Sequence, residues 1–242
     1  MKLTLEIDNL DIDKVQKLII NQTSHKFVQH RIKKNLATKC SIIKKDHFWK
    51  SLIMCLLTTQ QRSGEDSSVT KFLNLDPHPL SLKNCLAQKE LNEYAFYQLT
   101  IAKGIRRTKN IANEIEINFN HLQKSNWEIL DEINSLINKD DRFFERQIAN
   151  NVQENFKGIG PKQSRNLLQD LGLTKYETPI DSRIIRWLNE LRFPIPLSAT
   201  ALQDKAYYNY VSDIIFELCE KAEIKPCVLD AAIFSFYEKN NY

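Results

Sequence analysis

Phe156-Lys157-Gly158-Ile159-Gly160-Pro161-Lys162 is the stretch on which the reading of this 242-residue chain turns. Helical patterns lead into it, over 142–155, and out of it, over 162–171. The chain holds only five glycines, and three of them, Gly158, Gly160 and Gly172, fall within fifteen residues. In a sequence so poor in glycine, Gly-X-Gly between two helices marks backbone with a task of its own. Glycine alone takes a positive φ without steric cost, so the pair predicts a tight hairpin with exposed amides. Gly172, after Leu171, predicts the end of the outgoing helix. Amides at a helix start attract anions, and the commonest large anion is the nucleic-acid backbone.

Outward from the hairpin the period stays helical. Upstream, Phe48, Trp49, Leu52, Ile53, Leu56 and Leu57 repeat in pairs every four residues over 46–57, the pattern of a deeply buried helix. Further helical patterns occupy about 105–119, 126–137, 181–191, 201–222 and 227–238. Prolines sit between them: Pro77 and Pro79 in a loop, Pro179 before Asp181, Pro194 and Pro196 after a helix, and Pro226 at the start of the last one. Leu3, Leu5 and Ile7 alternate as on a short strand, which does not alter the class. The expected fold is all-α.

Composition excludes several classes. Hydrophobic content of 42% and charged content of 26% suit a globular chain, and no apolar run approaches the roughly 20 residues of a membrane span. Met1-Lys2-Leu3-Thr4-Leu5-Glu6 lacks the apolar core of a signal peptide, so an intracellular protein is expected, cytoplasmic or, in a eukaryote, nuclear. Cys40, Cys55, Cys85, Cys219 and Cys227 are scattered, without a CxxC, and His25, His30, His47, His78 and His121 are dispersed. Neither disulfides, a zinc site nor an iron–sulfur cluster is expected, and no cofactor. Net charge is +4, yet residues 14–45 hold nine basic side chains and no acid. Such one-sided charge suits a polyanion or, more plainly, a solvated helix face.

The hairpin, the lysine two residues beyond Gly160 and the aspartate nineteen residues after that lysine, in Pro179-Ile180-Asp181, resemble the helix-hairpin-helix DNA glycosylase superfamily. The resemblance is strongest over about 141–192 and extends more thinly from about 45 to 240. Leu56-Leu57-Thr58-Thr59-Gln60-Gln61-Arg62 looks like the loop from which members fill the gap in the duplex. Gly104-Ile105-Arg106-Arg107-Thr108-Lys109 looks like their second wedge loop, and Leu229-Asp230-Ala231-Ala232 like the closing helix of the smaller archaeal-type 8-oxoguanine enzymes.

The resemblance implies an enzyme that swings a damaged nucleotide out of duplex DNA and excises its base. Lys162 would attack the sugar, form a Schiff base and permit β-elimination of the strand. Such attack needs a neutral amine, and burial beside positive charge is the general way to lower a lysine's pKa from about 10.4. Asp181 would oppose the positive charge developing on the sugar, and a Pro-Ile-Asp before a helix also suits an N-cap. Gln60 is the first wedge candidate, with Ile105 and Arg106 opposite. Gln61, Arg62, Arg106, Arg107, Lys109, Lys157, Gly158 and Gly160 are candidate DNA contacts, and the bland reading of Gln60 and Gln61 is a polar helix end. Trp49, Trp127, Phe143, Phe144, Trp187, Phe234 and Phe236 include candidates for stacking on the base.

Two departures narrow the resemblance. Many members carry histidine two residues after the aspartate, where this chain has Arg183, and the four-cysteine cluster motif of some branches is absent. The clusterless branches, which include 8-oxoguanine DNA glycosylase/AP lyases, are the implied kin. Family architecture implies one helical domain over 45–175, ending in the hairpin. A second would be built from 1–44 plus 176–242, in a monomer that meets duplex DNA. Two rivals stand beside this reading: the same fold acting on an oxidised pyrimidine or mismatched thymine, and a non-catalytic helix-hairpin-helix DNA-binding protein. Binding alone needs only the hairpin, so the Lys162 and Asp181 pair argues against the second.

Overall fold

The helical period organises nearly the whole molecule. The computed structural model describes residues 6–37, 41–61, 64 and 66–239, and among these no strand occurs. In chain order the helices are α1 (Asn9–Gln22), α2 (Lys26–Asn35), α3 (Lys45–Leu57), α4 (Ser68–Leu73), α5 (Leu82–Leu86) and α6 (Leu91–Ile101). There follow α7 (Thr108–Lys124), α8 (Glu128–Asn134), α9 (Arg142–Asn155), α10 (Pro161–Asp170) and α11 (Ser182–Glu190). A 3₁₀ turn (Ala201–Gln203) precedes α12 (Lys205–Lys221) and α13 (Pro226–Lys239). Leu3, Leu5, Lys39, Cys40 and Arg62 lie outside the described residues. Among those described, no helix is long and apolar enough to cross a membrane.

Local chemistry sets the helix ends. Asp8, Asp141, Asp181 and Asp204 each accept a first-turn N–H, capping α1, α9, α11 and α12. The cap at Asp204 divides the 201–222 pattern into two pieces. Left-handed Arg107 delays α7 by three residues against the expected start at 105. Charge and a weak apolar stripe hid α1 and α2 from a periodicity reading, because α2 has only Val28 as a buried apolar side chain.

Among the described residues, three apolar clusters hold the helices. The largest is lined by residues from Ile43 to Leu173, and α3 runs through it with Phe48, Trp49, Leu52, Ile53, Leu56 and Leu57 all buried. Truncating one of these to alanine costs about 2–5 kcal/mol. A second cluster joins Ile7 and α1 to α11, α12 and α13. A third, small one packs Val28 of α2 on Cys227, Val228 and Ala231 of α13. Cys55, Cys85, Cys219 and Cys227 are buried free thiols, pushed up from their ordinary pKa by burial.

Candidate active site

The hairpin is built from below. Asn118 of α7 clamps Lys157, accepting its N–H at 2.8 Å and donating to its carbonyl at 2.9 Å. Gly158 is left-handed, with φ +83, and a Cβ there would stand 2.6 Å from the Glu114 carboxylate and 2.9 Å from Leu56. Conformation and space both demand glycine. Gly160 differs from the sequence expectation: its φ is −91 and a Cβ would meet only the Gln203 side chain, at 3.6 Å. It is the N-cap of α10 without a side-chain cap, and Pro161 supplies the first turn. Such a start leaves first-turn amides without intrahelical partners. Gly172, with φ +79, ends α10 after Leu171, as expected.

Lys162, half-buried, sits in the first turn of α10. Asp181, also half-buried, caps α11: its Oδ1 accepts from the N–H groups of Arg183 at 2.8 Å and Ile184 at 3.1 Å. Its Oδ2 accepts from Arg183 Nη1 at 2.9 Å. The guanidinium of Arg183 lies 4.2 Å over the Phe234 ring, which stacks on Phe27 with centroids 4.5 Å apart. Arg183 is therefore the direct partner of the candidate carboxylate.

Sequence reasoning missed what fixes the lysine and aspartate in relation to each other. Arg165, three residues beyond Lys162 and fully buried, donates to Glu177 at 3.1 Å, to Asn150 at 2.9 Å and to Asn209 at 3.1 Å. Glu177, four residues before Asp181, also takes Arg146 at 2.9 Å and Ser212 at 3.2 Å. Glu145 accepts the backbone N–H groups of Lys175, Tyr176 and Glu177 at 2.8–3.0 Å. Burial pushes its carboxyl up to about 7 against those three donors. The Tyr208 hydroxyl accepts from the Ile180 N–H and donates to the Thr178 carbonyl, both at 2.8 Å. The segment 174–180 is thus bolted to α9, α10 and α12. Its one sequence signal was Arg165 on the apolar face of α10, one turn before Leu168.

A second buried carboxylate lies nearby. Asp230 accepts from Gln169 at 2.6 Å, has Arg31 3.6 Å away, and is pushed up to about 6 by burial. Lys162, Asp181 and Arg183 all act on it through space.

The hairpin, Lys162, Asp181 and Arg183 border a cleft of about 1570 Å³. Gln60, Gln61, Arg107, Gly158, Gly160 and Lys162 line it together with Asp181, Arg183, His25 and Tyr237. The two expected wedge loops touch. Gln60 is exposed and left-handed, with φ 56, and its carbonyl accepts from Arg106. Gln61 donates to the Leu57 carbonyl and accepts the Arg106 N–H at 2.9 Å. Arg107, with φ 60, donates to Glu114 at 3.0 Å, the carboxylate beneath Gly158. Ile105 is turned into the largest core, 8% exposed, so Arg106 and not Ile105 stands out from that loop. Lys109 and Lys157 are exposed outside the lining.

Of the aromatic candidates, Trp49, Trp127 and Trp187 are core residues and Phe144 packs against the largest core. Phe143 is exposed beside a different cavity, and Phe236 packs edge-on against Tyr237. Phe234 alone among them contacts a partner of Asp181. No three His, Cys, Asp or Glu side chains among the described residues form a group that could hold a metal ion.

No protein-family model matches the sequence, nor does any curated protein. Solved structures do match. An 8-oxoguanine DNA glycosylase of Methanocaldococcus jannaschii superposes with a TM-score of 0.66 at 19% identity, covering 94% of each chain. An 8-oxoguanine glycosylase/lyase of the same organism, in complex with a 15mer DNA containing 8-oxoguanine, gives 0.69 at 20% identity, over 92% of this chain and 96% of that one. The 8-oxoguanine DNA glycosylase of Thermotoga maritima gives 0.67 at 17%, over 93% and 96%. What this chain shares with them is the all-helical fold.

Proposed function

We propose that this protein is a DNA glycosylase with β-lyase activity that removes an oxidised purine, 8-oxoguanine first, from duplex DNA. The observation that carries the reading is the meeting of Lys162, Asp181 and the Gly158–Gly160 hairpin on one cleft. The solved structures of like fold support it by what they act on. Phosphates would lie against the hairpin amides, with Gln60 and Arg106 entering the gap left by the extruded nucleotide. The Lys162 amine then bonds to the sugar C1′ as the bond to the base breaks, and the base leaves with the electron pair and takes a proton. Asp181 opposes the cationic charge on the sugar as it develops. Ring opening gives the Schiff base, and loss of a C2′ proton expels the 3′ phosphate. The protein is read as an intracellular monomer without a cofactor. Its two larger cores are taken as two domains, 45–175 and 1–44 plus 176–242.

Borohydride added during reaction on an 8-oxoguanine duplex should trap a covalent protein–DNA complex. Lys162→Ala should abolish trapping while duplex binding stays within a few-fold. Asp181→Asn should slow base release by roughly 10²-fold, the size of one lost electrostatic contact to a transition state. Trapping by Lys162→Ala at the wild-type level would assign the nucleophile elsewhere. A panel of duplexes with single lesions ranks oxidised purine against oxidised pyrimidine and mismatched thymine.

A further inference from the structure

Resting on that reading, we propose that Arg183 is a positioning residue that masks Asp181 in the free protein and is drawn off it by a phosphate of the bound duplex. Asp181 has two oxygens, and Oδ1 is spent on the helix cap, holding two backbone N–H groups. Oδ2 alone is left for chemistry, and Arg183 holds it at 2.9 Å. A guanidinium there neutralises the charge that has to oppose the sugar cation, so the free-protein arrangement is ill-suited to the reaction. Arg183 is also placed to leave. Its side chain lies on the cleft wall, 29% exposed, and its guanidinium sits over the Phe234 ring, a support that does not depend on Asp181. Guanidinium binds phosphate by paired hydrogen bonds, and a phosphodiester drawn to the uncapped start of α10 enters the same cleft. A phosphate taking Arg183 frees Oδ2, so the carboxylate gains its full charge only when DNA is seated.

The test couples two changes. Each phosphate flanking an 8-oxoguanine is replaced in turn by an uncharged methylphosphonate, and single-turnover borohydride trapping is followed for wild type and Arg183→Ala. In wild type, one position should slow the trapping rate at saturating protein by roughly tenfold or more, with a smaller change in half-saturation. In Arg183→Ala that same methylphosphonate should have no further effect, and Arg183→Lys should restore part of the coupling. Arg183→Gln, which keeps much of the stem over Phe234, replaces the alanine variant if the latter does not fold. An arginine that merely steadies the α11 cap slows every duplex alike, and equal methylphosphonate effects in wild type and variant overturn the proposal. So does a wild-type rate indifferent to every methylphosphonate. Wild-type protein that traps on no lesion duplex sinks the Schiff-base reading itself, a distinguishable failure that takes this proposal with it.

Discussion

Two glycines that look alike in sequence do different work. Gly158 is held by its own dihedral and by the Glu114 carboxylate and Leu56 beneath it, whereas Gly160 has ordinary backbone and room for a methyl group. Gly158→Ala should therefore lower stability by about 1–3 kcal/mol for the backbone alone, and more for the clash. Gly160→Ala should cost less than about 1 kcal/mol, mostly its poorer fit as an N-cap. Thermal unfolding of the two variants checks this, and equal losses would mean that the hairpin is not built as described. The glycines were legible in the sequence because turn chemistry is local, and Lys162 and Asp181 became candidates only through the resemblance that their spacing from the hairpin carries. The sequence could not reveal which glycine was the strained one, since the atoms that crowd Gly158 come from α3 and α7.

The element that sets the site is the segment 174–180, with little secondary structure of its own. Its amides are taken by Glu145 and by the Tyr208 hydroxyl, and its Glu177 by Arg165 and Arg146. Nothing in Thr174-Lys175-Tyr176-Glu177 announces this, because every partner lies far along the chain. Glu145 gives the element a pH signature. Its folded pKa, about 7, is raised above the unfolded value of 4.5. The folded state keeps a proton that the unfolded state has lost, so this contribution is full below pH 4.5 and lost as pH rises through 7. The whole excursion is on the order of 3 kcal/mol. His47 and His78, lowered by burial, act in the opposite sense over part of that window, so the measurement is a difference. The stability of wild type relative to Glu145→Gln should fall between pH 4.5 and 7 and level off above it. A difference that stays flat with pH would show that Glu145 is ionised throughout.

At the scale of the whole molecule, a helical class and a hairpin at 156–162 were legible from periodicity and glycine spacing. The helices α1, α2, α4, α5 and α6 were not, being short, polar-faced or nearly uniform in hydropathy. The basic stretch 14–45 turns out to be mainly α1 and α2, with Arg31 and Lys34 paired to Asp230 and Asp170, so part of its charge is spent internally. Duplex binding should still weaken steeply with salt. Lys109→Ala, at an exposed position in the first turn of α7, should flatten the slope of log K against log salt by about 0.9 and leave unfolding unchanged. Binding indifferent to salt would remove phosphate contact from the account. One last feature acts in time. Gln61 grips the Leu57 carbonyl with one end of its amide and the Arg106 N–H with the other. The turns at 60 and 106 are thereby tied through one side chain. NMR relaxation should find a single exchange rate at both turns, and Gln61→Ala should split it in two. On the proposed reading, two turns that move in step would meet a duplex together, and the encounter would run at one tempo.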